Sequence, residues 1–303
     1  FITCSKGDSI NIGIIYGGDS SEREVSINSG KAIINTCKKL GHTVQGFDGF
    51  DESIFNQEFD FIFLALHGTF GEDGSVQKIL EDYKICYNGS SSISSEHCFD
   101  KNFTKILAKD NNILTPKWLL IDDNKVFNVA DIDFKPVVKP NKEGSTIGFS
   151  LIGRLSDLDS AIDKSLKYGS HILIEEYIDG KEITVSVLGD KALPIVEIKP
   201  HSSVYDYKSK YTKGESDYVC PAEIDDSLSE EIKHTALKIH KLLGCQVYSR
   251  VDFRLDKDNK FWLLEINTLP GMTETSLFPM AAKAVGLSFE DLIDKIIKLS
   301  LEK

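Results

Sequence analysis

No apolar run in this 303-residue chain approaches the roughly twenty residues that a membrane-spanning helix requires. The opening FITCSKGDSI does not carry the apolar core of a signal peptide, so the chain reads as cytoplasmic. The six cysteines (Cys4, Cys37, Cys86, Cys98, Cys220 and Cys245) form no CxxC pair and no zinc-ligand spacing, which favours free thiols in a reducing compartment. Positive charge is in deficit, 35 Lys and Arg against 47 Asp and Glu, for a net charge of -12. That balance excludes a generic nucleic-acid or anionic-membrane binder, though not a local basic cleft. Catalytic signatures are missing too. GxxxxGK[ST] is absent, so there is no Walker loop; IIYGGDSS is not GxGxxG; HGTFGEDG is not the GxSxG nucleophile elbow. With no nucleophile paired to a base, direct activation of a substrate by a nucleotide is a better reading than a covalent protein intermediate.

What is present suffices for about two domains, since 41% hydrophobic residues can build sizeable cores. NIGIIYGG (11 to 18) reads as a buried strand ending in a glycine turn. SEREVSINSGKAIINTCKKLG follows with a helical apolar stripe that Gly41 stops. HTVQGFDG, FDFIFLALHG and KICYNG (84 to 89) read as three more strands of a parallel sheet covered on both faces. The pattern breaks at SSISSEHCFDK. A helix at 101 to 110, strands at TPKWLLI and FKPVVKP, and adjacent strands HILIEEYI and KEITVSVLG come next. LPIVEIKP, a long segment near 202 to 221, a helix near 227 to 243, strands at 247 to 255 and 260 to 267, and closing helices complete the chain. Boundaries near 96 and 184 give domains 1–96, 97–184 and 185–303. The segment at 202 to 221, with three lysines and four tyrosines, is long enough to be read as a flap over a site.

Chemistry concentrates in SRVDFRLDKDNKFWLLEINTLPG, residues 249 to 271. With residues 256 to 259 as a hairpin loop, Val251, Phe253 and Leu255 share a face with Trp262, Leu264 and Ile266. Arg250, Asp252, Glu265 and Asn267 share the other, with Arg250 roughly opposite Glu265. Such a face is either ordinarily solvated or a hard-cation site, because magnesium takes oxygen ligands and completes its shell with phosphate and water. On the second reading Asp252 and Glu265 hold one ion, and Glu265 and Asn267 a second. Lys139 at the end of FKPVVKP, the loop NKEGSTIG and Lys101 are candidate phosphate donors. EEYI (175 to 178) sits at a strand end where backbone can meet an adenine edge. Glu22 beside the first turn and His67 after FLAL occupy places where a substrate can bind, or where a helix-start acid and a structural histidine would serve.

Taken together, GGDSSEREVS, ALHGTFGEDG, VVKPNKEGSTIG, YDYKSKY, RVDFRLD and LLEINTLPGMTETSLFP, in this order, resemble the D-alanine:D-alanine ligases of the ATP-grasp superfamily over nearly the whole chain. The resemblance implies an α/β and α+β architecture: an ATP-grasp fold preceded by a doubly wound, mostly parallel α/β domain. It implies ATP as cosubstrate, two Mg2+ ions with Mn2+ as a substitute, D-alanine as substrate, a D-alanyl phosphate intermediate and a homodimer serving peptidoglycan precursor synthesis. Carried over residue by residue, it has Glu22 anchoring the first ammonium within a network with Ser145 and Tyr211, and Arg250 and the Gly271 N–H stabilising the oxyanion. His67, Ser276 and Leu277 bind the second substrate. Lys101, Lys139 and Lys210 contact phosphates; Glu175, Tyr177 and Ile178 meet adenine, Glu182 the ribose, and Asp252, Glu265 and Asn267 the metal. Glu176 departs from the lysine often found there, so stacking of an alkylammonium on adenine is not carried over. The alternatives are a D-alanine:D-lactate ligase, which Tyr211 disfavours, and a catalytically silent ATP-binding protein, which the retained metal set disfavours.

Overall fold

The computed structural model describes residues 9–201 and 214–303. In its first part β1 (Asn11–Tyr16) lies between β2 (Thr43–Asp48) and β3 (Phe61–Leu64), and both pairings are parallel. Ile12, Ile14 and Ile15 of the central strand are fully buried. Helix α1 (Arg23–Lys39) presents Ser26, Ser29, Gly30, Ile33, Thr36 and Cys37 inward, the spacing of one helical face. Gly30 is required by this packing, because a Cβ there would stand 2.4 Å from the Tyr16 side chain. Residues 84 to 89, expected as a fourth strand, contribute only the bridge between Ile62 and Tyr87. The Asn88 side chain explains the shortfall. Its Oδ1 accepts from Leu64 N and its Nδ2 donates to Leu64 O at 3.1 Å, replacing a backbone ladder.

Helices α2 (Ser75–Asp82), α3 (Ser92–Phe99) and α4 (Lys101–Asp110) lead out of this sheet. The segment read as a break in pattern is therefore the helix α3, capped by Ser91. Its inward face is Ser92, Ser94, Ser95 and Cys98, and it has no apolar stripe to read. A four-stranded sheet follows in the order β4 (Trp118–Asp122), β7 (His171–Glu176), β5 (Pro136–Pro140), β6 (Ser150–Leu151), with α5 (Leu158–Ser165) packed on it. The strand β8 (Lys181–Leu188) belongs instead to a six-stranded sheet with β9 (Lys191–Ala192), β10 (Val196–Pro200), β11 (Ser216–Val219), β12 (Tyr248–Leu255) and β13 (Phe261–Asn267). HILIEEYI and KEITVSVLG, neighbours in sequence, are thus in different sheets. The turn between them passes so close to β12 that a Cβ on Gly180 would lie 2.1 Å from Leu255 O. Arg254 fastens the turn by donating to Ile178 O at 3.1 Å and to Gly180 O at 2.8 Å. The expected boundary near 184 lies inside β8. Of the long segment 202 to 221, the part at Ser216–Val219 is a strand antiparallel to β10, and 202–213 fall outside the described residues.

Helix α6 (Asp226–Leu242) backs the six-stranded sheet, and α7 (Leu277–Ala284) and α8 (Phe289–Leu301) return to the core of the first sheet. His240 of α6 is buried with Nδ1 2.7 Å from Ser249 Oγ. Burial, helped by Lys241, lowers its pKa from 6.5 to about 4. The unfolded chain therefore takes up this proton first as pH falls. Stability should be complete above pH 6.5 and shrink between 6.5 and 4, by about 2 kcal/mol at pH 5 from this one group. Urea unfolding at pH 7.5 and 5 should show His240→Gln losing less on acidification than the parent. An equal loss in both would remove His240 from the acid sensitivity.

Candidate active site

The hairpin of β12 and β13 organises the site through two irregularities. Residues 256 to 260 close the turn, so Leu255 pairs with Phe261, Arg254 with Trp262 and Phe253 with Leu263. A bulge at Asp252/Phe253 then makes Leu264 the extra residue, after which Asp252 faces Glu265 and Arg250 faces Asn267. The expected pairing of Arg250 with Glu265 is corrected by two residues. Because the shift is even, all four polar residues still share the expected face. Below the bulge the parity reverses: Phe261 and Leu263, rather than Trp262 and Leu264, join the apolar side. Leu264 and Glu265 consequently both face the cavities.

Arg250 Nε and Nη2 bind the two oxygens of Asp252 at 2.9 and 2.8 Å, and Thr184 Oγ1 donates to Asp252 Oδ1 at 2.6 Å. Asn267 Nδ2 is 3.4 Å from Asp252 Oδ2, and Glu265 Oε2 is 3.3 Å from Lys101 Nζ. Among the described residues no group of three His, Cys, Asp or Glu side chains is placed to hold a metal ion by itself. Two carboxylates and an amide are hard oxygen donors too few to enclose a cation. They suit an ion whose shell is finished by phosphate and water.

Across the cleft, Glu22 ends the turn before α1 and is buried. Its Oε1 accepts from Ser145 Oγ. Ser145 and Thr146 both adopt left-handed backbone, with φ of 49° and 62°, a cost at non-glycine positions that aims the loop at Glu22. Gly144 permits the approach, since a Cβ there would stand 2.9 Å from Glu22 Oε2. His67, at the end of the chain leaving β3, has Nε2 3.4 Å from Ser29 Oγ and Nδ1 3.7 Å from Glu72 Oε1. Burial disfavours its imidazolium, but Glu72 and Glu22 outweigh that and raise its pKa. Glu72 is itself raised, by burial and by the charge of Glu22 against the pull of His67. Ser276 stands immediately before α7, whose first residue is Leu277, and accepts from Thr273 N at 3.0 Å. The N-terminus of α7 thereby offers a carboxylate a partial positive charge.

A second part of the site is built from β5, β7 and α4. Glu175 is buried between Lys139, 2.6 Å from Oε1, and Lys105, 2.7 Å from Oε2. These ammonium groups outweigh burial and hold its carboxyl below the usual range. Lys101 Nζ donates to Glu143 O at 2.5 Å, fixing the loop that carries Gly144. Tyr177 is flanked by Lys135, 4.6 Å from its ring centre, and Arg254, 5.5 Å away. Glu176 turns aside to Lys117 N at 3.4 Å.

Two cavities result. A cleft of about 580 Å³ contains Glu22, Ser145, His67, Arg250 and Gly271, with Asp252, Asn267, Ser276 and Leu277. A slot of about 130 Å³ contains Lys101, Lys139, Glu175, Tyr177 and Ile178. Gly144, Glu182, Leu264 and Glu265 line both, so the spaces meet at the acidic row. Every described residue expected at the site lines one of them. Lys210 and Tyr211 lie outside the described residues. Sequence reasoning missed Glu72, Lys105, Thr184 and Arg254. The available signal was polar residues on inward faces: Lys101, Thr104, Lys105 and Ala108 form the buried stripe of α4.

Comparison with known proteins gives a consistent set of likenesses. Family models described as D-ala D-ala ligase N-terminus and C-terminus match residues 38–90 and 107–298. A D-alanine--D-alanine ligase of Methylacidiphilum infernorum is 44% identical over 96% of this chain and 95% of its own. One from Aquifex aeolicus is 43% identical over 94% and 98%. Among solved structures, D-alanine--D-alanine ligase of Bacillus anthracis complexed with ATP superposes with a TM-score of 0.86 at 35% identity, over 97% of this chain and 98% of that one. VanG D-Ala:D-Ser ligase of Enterococcus faecalis does so with a TM-score of 0.84 at 28% identity, over 97% and 100%.

Proposed function

This chain belongs to the D-alanine--D-alanine ligase family, and from that premise we propose that ATP phosphorylates the carboxylate of one D-alanine here and the amine of a second displaces the phosphate. The products are D-alanyl-D-alanine, ADP and phosphate. The observation that carries the reading is the junction of slot and cleft at Glu265, Gly144, Glu182 and Leu264, where a nucleotide's last phosphate would meet an amino-acid carboxylate. Two magnesium ions, or manganese, held by Asp252, Glu265 and Asn267 would supply neutralisation of the phosphate charge.

Each residue then has a task that its setting supports. Glu22, oriented by Ser145, receives the ammonium of the first substrate. Arg250 is held by Asp252 through Nε and Nη2 at the lining of the cleft, where its charge would stabilise the oxyanion alongside Gly271 N–H. Ser276 and the start of α7 take the second carboxylate, and His67 faces the second substrate. Glu175, Tyr177 and Ile178 receive adenine, Glu182 the ribose, and Lys101, Lys139 and Lys210 the phosphates. A site closed to water would protect the acyl phosphate from hydrolysis. No helix among the described residues is long and apolar enough to cross a membrane, and the same reading makes the enzyme a cytoplasmic homodimer.

D-alanine with MgATP should yield dipeptide and ADP in equal amounts. The assay repeated with added D-lactate and D-serine sinks the substrate assignment if only mixed products form and D-alanine alone gives none. Gly144→Ala, by pressing a methyl group towards Glu22, should raise the KM for D-alanine about fivefold to tenfold, the range of one hydrogen bond of ordinary strength, while the protein stays folded. Steady-state kinetics with each substrate varied would detect this, and an unchanged KM would detach the loop from ammonium binding.

A further inference from the structure

We propose that Lys105, which lines neither cavity, is the buried counter-ion that leaves Lys139 available to nucleotide phosphate. The proposal rests on the reading of the slot as the ATP pocket. Lys105 is fully buried on α4. Its Nζ pairs with Glu175 Oε2 at 2.7 Å, donates to Thr115 Oγ1 at 2.7 Å, and stands 5.2 Å from the Trp118 ring centre. Thr115 is anchored in turn by donating to Leu263 O at 2.9 Å, beside the bulge that presents Glu265. Lys139 pairs with the other oxygen, Oε1, at 2.6 Å. Of the three, only Lys139 and Glu175 reach the slot.

Two ammonium groups thus share one carboxylate, an excess of one positive charge. If Lys139 were the sole partner of Glu175, turning to a phosphate would strand a carboxylate in a water-poor interior, and the pair would resist opening. Lys105 removes that obstacle by staying on Oε2 through the change. Its own burial, against the favourable pull of Glu175, lowers its pKa only to about 8, so it remains mostly charged at neutral pH. Lys105 is therefore a positioning residue: it acts on phosphate through Glu175 and Lys139.

The test measures calorimetric dissociation constants of adenosine and of ADP with magnesium, on the full chain, and takes their ratio as the phosphate contribution. Lys105→Met should lower that ratio roughly tenfold, the lower range for one hydrogen bond to a charged group, with adenosine affinity within about twofold of the parent. In a Glu175→Gln background the route is already cut, so adding Lys105→Met should change the ratio less than about twofold. The neutral pair also keeps the comparison available should Lys105→Met alone fail to fold. Equal weakening of adenosine and ADP, an unchanged ratio in Lys105→Met, or a large further fall in the Glu175→Gln background would each overturn the proposal. Lys139→Met serves as the control: a parental ratio there would instead refute the phosphate role of Lys139, a failure of the underlying reading.

Discussion

Glu265→Gln should lower turnover by about 100- to 1,000-fold, the range seen when one preorganised charge-stabilising group is withdrawn. The amide preserves size and an oxygen donor but removes a negative charge from the acidic row where slot and cleft meet. Folding should be little affected. Glu265 is partly exposed, and Lys101 Nζ, 3.3 Å from it, is also held by Glu143 O. Thermal unfolding without ligand and kcat at saturating and limiting magnesium separate the two effects. Normal kcat at limiting magnesium would exclude Glu265 as the bridge between cations.

The face that carries Glu265 was legible in the sequence because period-two alternation survives an even error in register. The apolar half near the turn was not. One extra turn residue and one bulged residue add up to a two-residue shift at Arg250, which preserves its face, but leave Phe261 and Leu263 inverted relative to Trp262 and Leu264. Alternation alone places neither irregularity. The missing fourth strand has a similar cause: an asparagine side chain can satisfy Leu64 in place of a strand, and an apolar pattern does not report it. Long-range pairings were hidden altogether. Cys98 and Cys245 are far apart in the chain, yet their sulfurs are 3.4 Å apart as buried thiols. Lys105 lies in no motif, and its partners on β7 and beside β4 come from the tertiary structure alone. Motif residues identified the chemistry, whereas the groups that orient them came only with the tertiary structure.

Arg250→Lys should be nearly as damaging as loss of Glu265, about 100-fold or more in kcat, although it keeps the positive charge. The guanidinium binds both oxygens of Asp252 through Nε and Nη2, a planar fork that fixes where its charge stands in the cleft. A lysine ammonium is a single point that cannot hold that fork and face the reacting carbon from the same place. Asp252 would keep its bond from Thr184 but lose the planar clamp that sets its second oxygen opposite Glu265 and Asn267. On the proposed roles, cation binding and oxyanion stabilisation should therefore fail together. Asp252→Asn is the informative companion. If Arg250 and Asp252 act as one unit, the double variant should be scarcely worse than the worse single variant, because each single change already breaks the clamp. Stopped assays of dipeptide formation for the parent, both single variants and the double variant at matched ATP and D-alanine saturation would decide this. Multiplying losses would show that the two side chains contribute independently, and a near-parental rate for Arg250→Lys would remove the bidentate geometry from the mechanism.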